Sequence, residues 1–84
     1  MSYVDLYDPD TDFDVWYTHA TGSAIVGHLH PGQRLLELGC ATGLMSVALA
    51  ARGVRLVGVD RFPAYLERAR ARAIPGATFV QGEV

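Results

Sequence analysis

The sequence predicts an α/β fold built on a parallel sheet, because three short apolar runs alternate with two helical patterns. In chain order these are strand 35–38, helix 44–52, strand 54–59, helix 63–73 and strand 78–80. Connections between successive parallel strands are right-handed in nearly all proteins, which predicts strands side by side in the order 3-2-1. The predicted unit covers residues 32–84 and follows a lead-in of residues 1–31 that includes a short helix over 21–29.

Local residue types support the first strand and the helix after it. Residues 35–38 form a short apolar run, which is typical of a strand covered on both faces. Residues 44–52 are rich in strong helix formers, and Gly53 is well placed to end that helix. The residues expected on its apolar face are Leu44, Val47, Ala48 and Ala51.

The second helix has its own start and stop signals. Pro63 suits the first helical position, and Pro75-Gly76 ends the pattern. Apolar residues recur three and seven positions apart at Leu66, Ala69 and Ala73. Its arginines are expected to form a solvated face; they are Arg68, Arg70 and Arg72.

Composition excludes several classes of protein. The 84 residues carry a net charge of −2, which gives no reason to expect a nucleic-acid or membrane partner. The single cysteine, Cys40, has no partner for an internal disulfide or a cysteine metal site, and no metal site is expected. No signal-peptide pattern and no apolar run near the roughly 18 residues of a membrane span is present, so a cytoplasmic protein is expected.

Three features fall where the predicted strands end. Residues 39–43 form a glycine-containing turn after the first strand, Asp60 ends the second strand, and Glu83 follows the third. A strand, tight turn and helix can present backbone N–H groups to a ligand, and a strand-end carboxylate can accept hydrogen bonds from ribose hydroxyls. Together these spacings predict a nucleotide-type pocket at this edge of the sheet.

The turn disfavours a phosphate ligand. The dinucleotide fingerprint needs glycines at positions one, three and six, and those positions hold Gly39, Ala41 and Leu44. No Gly-Lys-Ser/Thr sequence of a phosphate-binding loop is present. Glu37, just before the turn, would repel a phosphate and attract a cationic amine. The predicted ligand is therefore a nucleoside with a positively charged amino-acid tail.

These residues carry a resemblance to a known family. The stretches Leu-Leu-Glu-Leu-Gly-Cys-Ala-Thr-Gly (35–43), Val-Gly-Val-Asp (57–60) and Phe-Val-Gln-Gly-Glu (79–83) resemble the N-terminal half of class I S-adenosylmethionine-dependent methyltransferases. The resemblance implies a Rossmann-like, three-layer α/β fold, of which the chain holds only the N-terminal half. It also implies S-adenosylmethionine as cofactor and methyl transfer to an acceptor, expected to be a small molecule.

The resemblance assigns roles to residues. Glu37 and the turn would shape the site for the methionine part, Asp60 would bind the ribose, and Arg61 and Phe62 would flank the adenosine. Glu83 falls where the family usually has an aspartate near the adenine amino group. Relatives often fold an N-terminal segment over the cofactor. The expected cofactor-binding residues are Glu37, Gly39, Cys40, Ala41, Gly43, Asp60, Arg61, Phe62, Glu83, Tyr17 and His19. Ala41 replaces the middle glycine, and no general base is identified.

Two other functions stay open, namely a non-catalytic S-adenosylmethionine-binding module and an NAD-binding fragment. Strand 35–38 would lie in the middle of a complete sheet, yet no later strand follows the third. An apolar edge with unpaired backbone groups invites pairing with other polypeptide. We therefore expect either that C-terminal residues of a longer enzyme complete the sheet or that another chain pairs with this edge.

Overall fold

The computed structural model describes residues 21–83, which form a three-stranded parallel sheet with helices between the strands. Its elements are α1 (residues 21–26), β1 (Arg34–Leu38), α2 (Leu44–Ala50), β2 (Arg55–Asp60), α3 (Pro63–Ala71) and β3 (Ala77–Gln81). The strand order is β1-β2-β3, with β2 in the centre. Read from the other edge this is the predicted order 3-2-1, so the predicted α/β class and strand adjacency are confirmed.

The helices end slightly earlier than predicted. Helix α1 ends at residue 26 rather than 29, α2 at Ala50 rather than Arg52, and α3 at Ala71 rather than Ala73. At the end of α3 the backbone of Ala73 has a φ of 52°, in the left-handed region, which a helix cannot continue through. After α2, Arg52 N–H bonds to the carbonyl of Leu49 in a tighter turn, and Gly53 follows with a φ of 82°.

One face of the sheet packs against α2 and α3. The core contains residues from both helices and from β2 and β3, and Leu49, Leu56 and Leu66 are among its largest fully buried side chains. Its other buried members are Leu29, Cys40, Val54, Ala69 and Phe79. Because the two helices lie on the same side, they hold the carboxyl ends of the strands in a fixed arrangement.

The opposite face of the sheet is open within the described residues. Leu36 is 60% exposed and Leu38 is 56% exposed, and Val57 and Val80 are also exposed. The expectation that β1 is covered on both faces is therefore wrong for residues 21–83, because their helices cover only one side. Two of the three expected layers are described, and in this part of the chain β1 pairs with β2 alone.

The buried face of α2 also differs from the predicted one. Val47 is 46% exposed, and Ala48 and Ala51 are exposed as well, whereas Ser46, Leu49 and Ala50 are buried. The Ser46 hydroxyl donates a hydrogen bond to the carboxyl group of Glu37 on β1. This bond requires the Ser46 side of α2 to face the sheet, which turns Val47 toward the outside.

Candidate nucleoside site at the strand ends

The glycine turn between β1 and α2 has an unusual backbone conformation. Gly39, Ala41 and Gly43 have φ angles of 72°, 49° and 82°, all in the left-handed region. Glycine adopts this region without penalty, whereas an alanine there is strained. A Cβ at Gly43 would lie 3.2 Å from the Cβ of Ala69 on α3, so the turn also packs closely against that helix. The turn therefore has a specific backbone conformation that contacts with neighbouring residues must stabilise.

Most backbone N–H groups of this turn bond to the protein itself. Gly39 and Cys40 both donate to the carbonyl of Val59, at 2.7 and 3.0 Å, and Gly43 donates to the carbonyl of Cys40 at 3.0 Å. Ala41 N–H donates to Asp60 Oδ2 at 2.9 Å. These four groups point into the fold, so the turn does not have the N–H array that cradles a phosphate. This geometry agrees with the rejection of a pyrophosphate ligand on sequence grounds.

Asp60 lies at the end of β2 and joins the turn to the start of α3. Its Oδ2 accepts from Ala41 N–H, and its Oδ1 accepts from Phe62 N–H at 3.0 Å. The residue is 8% exposed. A carboxylate has about four acceptor sites on its two oxygens, so each oxygen retains capacity for a further donor. The side chain is thus fixed by the backbone while still able to accept ribose hydroxyls.

Glu37 lies beside the turn on the helix-covered face of β1. Burial raises the pKa of this carboxyl group above its ordinary value of 4.5, and the hydrogen bond from Ser46 lowers it in part. A small cavity of about 90 Å³ adjoins it, lined by Glu37, Gly39, Cys40, Ala41, Thr42, Leu44 and Met45. Small-molecule pockets usually measure about 300–1,000 Å³, so this cavity is smaller than a typical ligand pocket.

The Cys40 side chain lies in the core. The residue is 4% exposed and belongs to the same buried cluster as Leu66 and Phe79. Burial raises the pKa of the Cys40 thiol to about 12, and the negative charges of Glu37 and Asp60 add to the effect. The group therefore stays protonated at neutral pH, and its contribution to the site is its backbone and its small size.

The remaining predicted residues lie at the rim or outside the described part. The Arg61 guanidinium lies 5.1 Å from the centroid of the Phe62 ring, and that ring makes an edge-on contact with Tyr65 at 5.5 Å. Glu83 is exposed just after β3, one residue beyond Gly82, whose N–H bonds to the carbonyl of Asp60. Tyr17 and His19 lie outside the described residues.

Sequence reasoning missed two residues that shape the site. Arg72 Nε donates to the carbonyl of Thr42 at 2.7 Å, and Ser46 bonds to Glu37. The predicted solvated face is therefore wrong for Arg72, which is half-buried, whereas Arg70 is exposed as predicted and its guanidinium donates to the carbonyl of Phe79 at 2.7 Å. Ser46 left a signal, as a polar residue in an otherwise apolar helix, whereas alternating arginines on a helix give none.

Two negative findings apply to residues 21–83. No group of three or more His, Cys, Asp or Glu side chains is close enough to hold a metal ion. None of the helices in this part of the chain has the length and apolar character needed to cross a membrane.

The parallel sheet and the internally bonded glycine turn define an α/β domain whose turn lacks the N–H array of a phosphate-binding loop. Residues 35–84 match the family model described as a methyltransferase domain, which is more than half of the chain. The chain belongs to this family of methyltransferase domains.

Curated relatives and solved structures match the same region. An uncharacterized methyltransferase of Synechocystis is 44% identical over 54 residues, 64% of this chain and 25% of that protein. The malonyl-[acyl-carrier protein] O-methyltransferase of Serratia marcescens is 43% identical over 47 residues, 56% of this chain and 18% of that protein. An S-adenosylmethionine-dependent methyltransferase of Geobacter sulfurreducens, crystallised with S-adenosyl-L-homocysteine, superposes with a TM-score of 0.63 and 28% identity, covering 77% of this chain and 28% of that one. The chain thus spans a quarter or less of the length of these curated relatives.

Proposed function

We propose that the chain binds S-adenosylmethionine as the cofactor-binding part of a methyltransferase. The observation that carries the proposal is the pairing of two carboxyl groups, Glu37 and Asp60, with a glycine turn whose N–H groups are mostly bonded to the protein. Such a site offers hydrogen-bond acceptors and negative charge, whereas a phosphate site would offer free backbone N–H donors. S-adenosylmethionine matches it, because it has a cationic sulfonium, an α-amino group and a ribose but no phosphate.

The residues present fit the parts of this cofactor. Ionised Glu37, at the cavity beside the turn, would attract the α-amino group and the sulfonium. Asp60, held by two backbone N–H groups, would accept the ribose hydroxyls with its remaining acceptor sites. Arg61 and Phe62 begin the segment after β2 and would lie beside the adenosine. The relative crystallised with S-adenosyl-L-homocysteine supports the choice of ligand.

The chemistry proposed is transfer of the sulfonium methyl group to a nucleophile that attacks in line with the breaking C–S bond. The cofactor supplies an activated methyl group, so the protein contributes mainly binding and alignment. In this chain the turn would fix the amino-acid part and Asp60 would fix the ribose. These two attachments would orient the cofactor for transfer. We assign no general base to the described residues.

Titration calorimetry with S-adenosylmethionine, S-adenosylhomocysteine and NAD tests the ligand. We expect both S-adenosyl compounds to bind and NAD to bind at least tenfold more weakly. Asp60→Ala should weaken the binding of both S-adenosyl compounds. Glu67→Ala, on the exposed side of α3, should leave their affinities unchanged. Binding of NAD as tight as that of S-adenosylmethionine, or binding of neither by a chain that circular dichroism shows to be folded, would refute the proposal.

Catalysis needs a separate test, because a non-catalytic binding module would give the same calorimetry. We expect radiolabelled S-adenosylmethionine to yield methylated product with a small-molecule acceptor library. Tight cofactor binding without transfer to small molecules, proteins or RNA would favour the non-catalytic module. The cytoplasm is the proposed location, and fractionation of the host cell would test it.

We further propose that additional polypeptide pairs with the outer edge of β1 and covers the open face of the sheet. Leu36 and Leu38 are more than half exposed there, and exposed apolar strands at an edge favour pairing. The matched residues cover only 25% and 18% of the two curated relatives, which favours completion by residues of a longer enzyme over a second copy. Sedimentation of the 84-residue chain tests this. Where that further polypeptide is absent, the exposed face and edge of β1 should cause concentration-dependent association, which Leu36→Lys and Leu38→Lys should abolish. A monomer at all concentrations would show that the edge needs no covering polypeptide and would contradict the proposal.

A further inference from the structure

We propose that Arg72 is a positioning residue that holds the glycine turn in its binding conformation, although it lies outside the cavity. This inference rests on the proposed function, because it assigns Arg72 to the binding of the amino-acid part of the cofactor. Arg72 follows the last residue of α3 and contacts the turn at the Thr42 carbonyl. It does not line the cavity beside Glu37. The contact through which we propose that Arg72 acts is its hydrogen bond to the turn.

The contact between α3 and the turn is close and buried. Arg72 Nε donates to the carbonyl of Thr42 at 2.7 Å, a short bond in which the donor carries a positive charge. Thr42 is 0% exposed, so water cannot readily replace the guanidinium. Ala69, also 0% exposed, packs where the missing side chain of Gly43 would be. The end of α3 thus contacts the turn at two adjacent positions.

The turn needs such support, because Ala41 is in the left-handed region with a φ of 49°. L-residues other than glycine keep this conformation only where the surroundings fix it. Two side chains fix successive residues here, since Asp60 accepts from Ala41 N–H and Arg72 donates to the carbonyl of Thr42. One side chain acts from β2 and the other from the end of α3. Without either of these two side chains the turn could relax into another conformation. Binding would then have to restore the original one, which would weaken the affinity.

The chain offers a matched control in Arg70. Its guanidinium also donates to a backbone carbonyl at 2.7 Å, but that carbonyl belongs to Phe79 on β3, away from the turn. Arg70→Met and Arg72→Met each remove one such bond and keep a flexible apolar side chain. Urea unfolding of both variants measures how much stability each loses, and only Arg72→Met should change the turn.

The binding test compares two probes, S-adenosylhomocysteine and methylthioadenosine, which lacks the amino-acid group. We expect Arg72→Met to weaken the binding of S-adenosylhomocysteine about tenfold and the binding of methylthioadenosine less than threefold. Arg70→Met should change both by less than twofold, and Arg72→Lys, which keeps a cationic donor, should recover part of the loss. Equal weakening by the Arg70 and Arg72 variants, or equal weakening of both probes, would show a general structural role and overturn the inference.

A measurement without ligand keeps the inference testable if the proposed function fails. Amide hydrogen exchange, followed by NMR, reports the hydrogen bond from Ala41 N–H to Asp60 directly. Arg72→Met should speed exchange at Ala41 at least tenfold, beyond its effect on β3, and Arg70→Met should not. Unchanged exchange at Ala41 in Arg72→Met would overturn the inference. If neither probe binds to the parent chain while exchange at Ala41 responds as expected, the support of the turn by Arg72 is confirmed and the proposed function is wrong.

Discussion

Replacing Gly58 by alanine should destabilise the fold, although alanine is normally the better residue inside a strand. A Cβ at Gly58 would lie 2.7 and 2.8 Å from two ring carbons of Phe79 and 3.0 Å from the Cβ of Cys40. Phe79 is 5% exposed and Cys40 is 4% exposed, so both contacts are buried. The clash is therefore inside the core, directly beneath the end of β2.

The expected size follows from two opposing effects. Overpacking a core costs about 1–3 kcal/mol of stability. Replacing a strand glycine by alanine stabilises the fold by about 0.5–1 kcal/mol, because the unfolded chain then has less conformational entropy to lose. Distances below 3.0 Å to the ring of Phe79 place the overpacking cost in the upper part of its range, so the net loss in the free energy of unfolding should be about 1–2 kcal/mol. This should lower the melting temperature by roughly 5–15 °C in a chain of this length. Urea and thermal unfolding followed by circular dichroism measure the two quantities.

A matched control separates the clash from the general effect of replacing glycine. A Cβ at Gly27 would meet no atom within 4 Å beyond its own chain neighbours, so Gly27→Ala should change stability by less than about 0.5 kcal/mol. Adding Phe79→Leu to Gly58→Ala should make the two changes non-additive, because the smaller side chain relieves the contact. A Gly58→Ala variant as stable as the parent chain would refute the packing argument.

Three further predictions concern the site residues. Asp60→Asn should lower the free energy of unfolding by about 1–3 kcal/mol, because asparagine has one carbonyl oxygen for the two N–H groups of Ala41 and Phe62; an unchanged urea midpoint would contradict this. The raised pKa of Glu37 means that the folded chain keeps this proton longer than the unfolded chain, so stability should fall as pH rises from about 4.5 through the raised value. The Glu37→Gln variant should lack this part of the pH dependence. Parallel profiles of unfolding free energy against pH for the variant and the parent chain would show that Glu37 does not contribute it. Burial and a thiol pKa of about 12 should make Cys40 react with iodoacetamide far more slowly in the folded chain than in urea, as mass spectrometry would show, and equal rates would contradict its place in the core.

Local patterns were sufficient to predict the order of elements and the position of the turn. Strand 35–38, the glycines at 39 and 43 and the aspartate at 60 each have a local physical reason, and the parallel topology follows from general rules of connection. The exposed side of β1 could not be predicted in the same way. An apolar run has the same pattern whether both faces or one face is covered, and Leu36 and Leu38 are exposed because nothing in residues 21–83 packs on their side.

Contacts between distant residues account for the other differences. Glu37 and Ser46 are nine positions apart, and Arg72 and Thr42 are thirty apart, so no periodicity of a single helix or strand connects them. The rotation of α2 depends on the first contact, and the inward-facing role of Arg72 depends on the second. Both are polar contacts to the region of the turn, where apolar periodicity carries no information.

The turn is a continuation of the sheet, and this links the site to the fold. Gly39 and Cys40 extend the pairing of β1 with β2 by donating to Val59, and Gly82 extends the pairing of β2 with β3 by donating to Asp60. Asp60 then fixes both the turn and the start of α3. Because the same bonds that end the sheet also shape the site, a ligand that contacts the turn and Asp60 must bind the folded chain in preference to the unfolded one. Binding and folding are therefore thermodynamically linked at this edge.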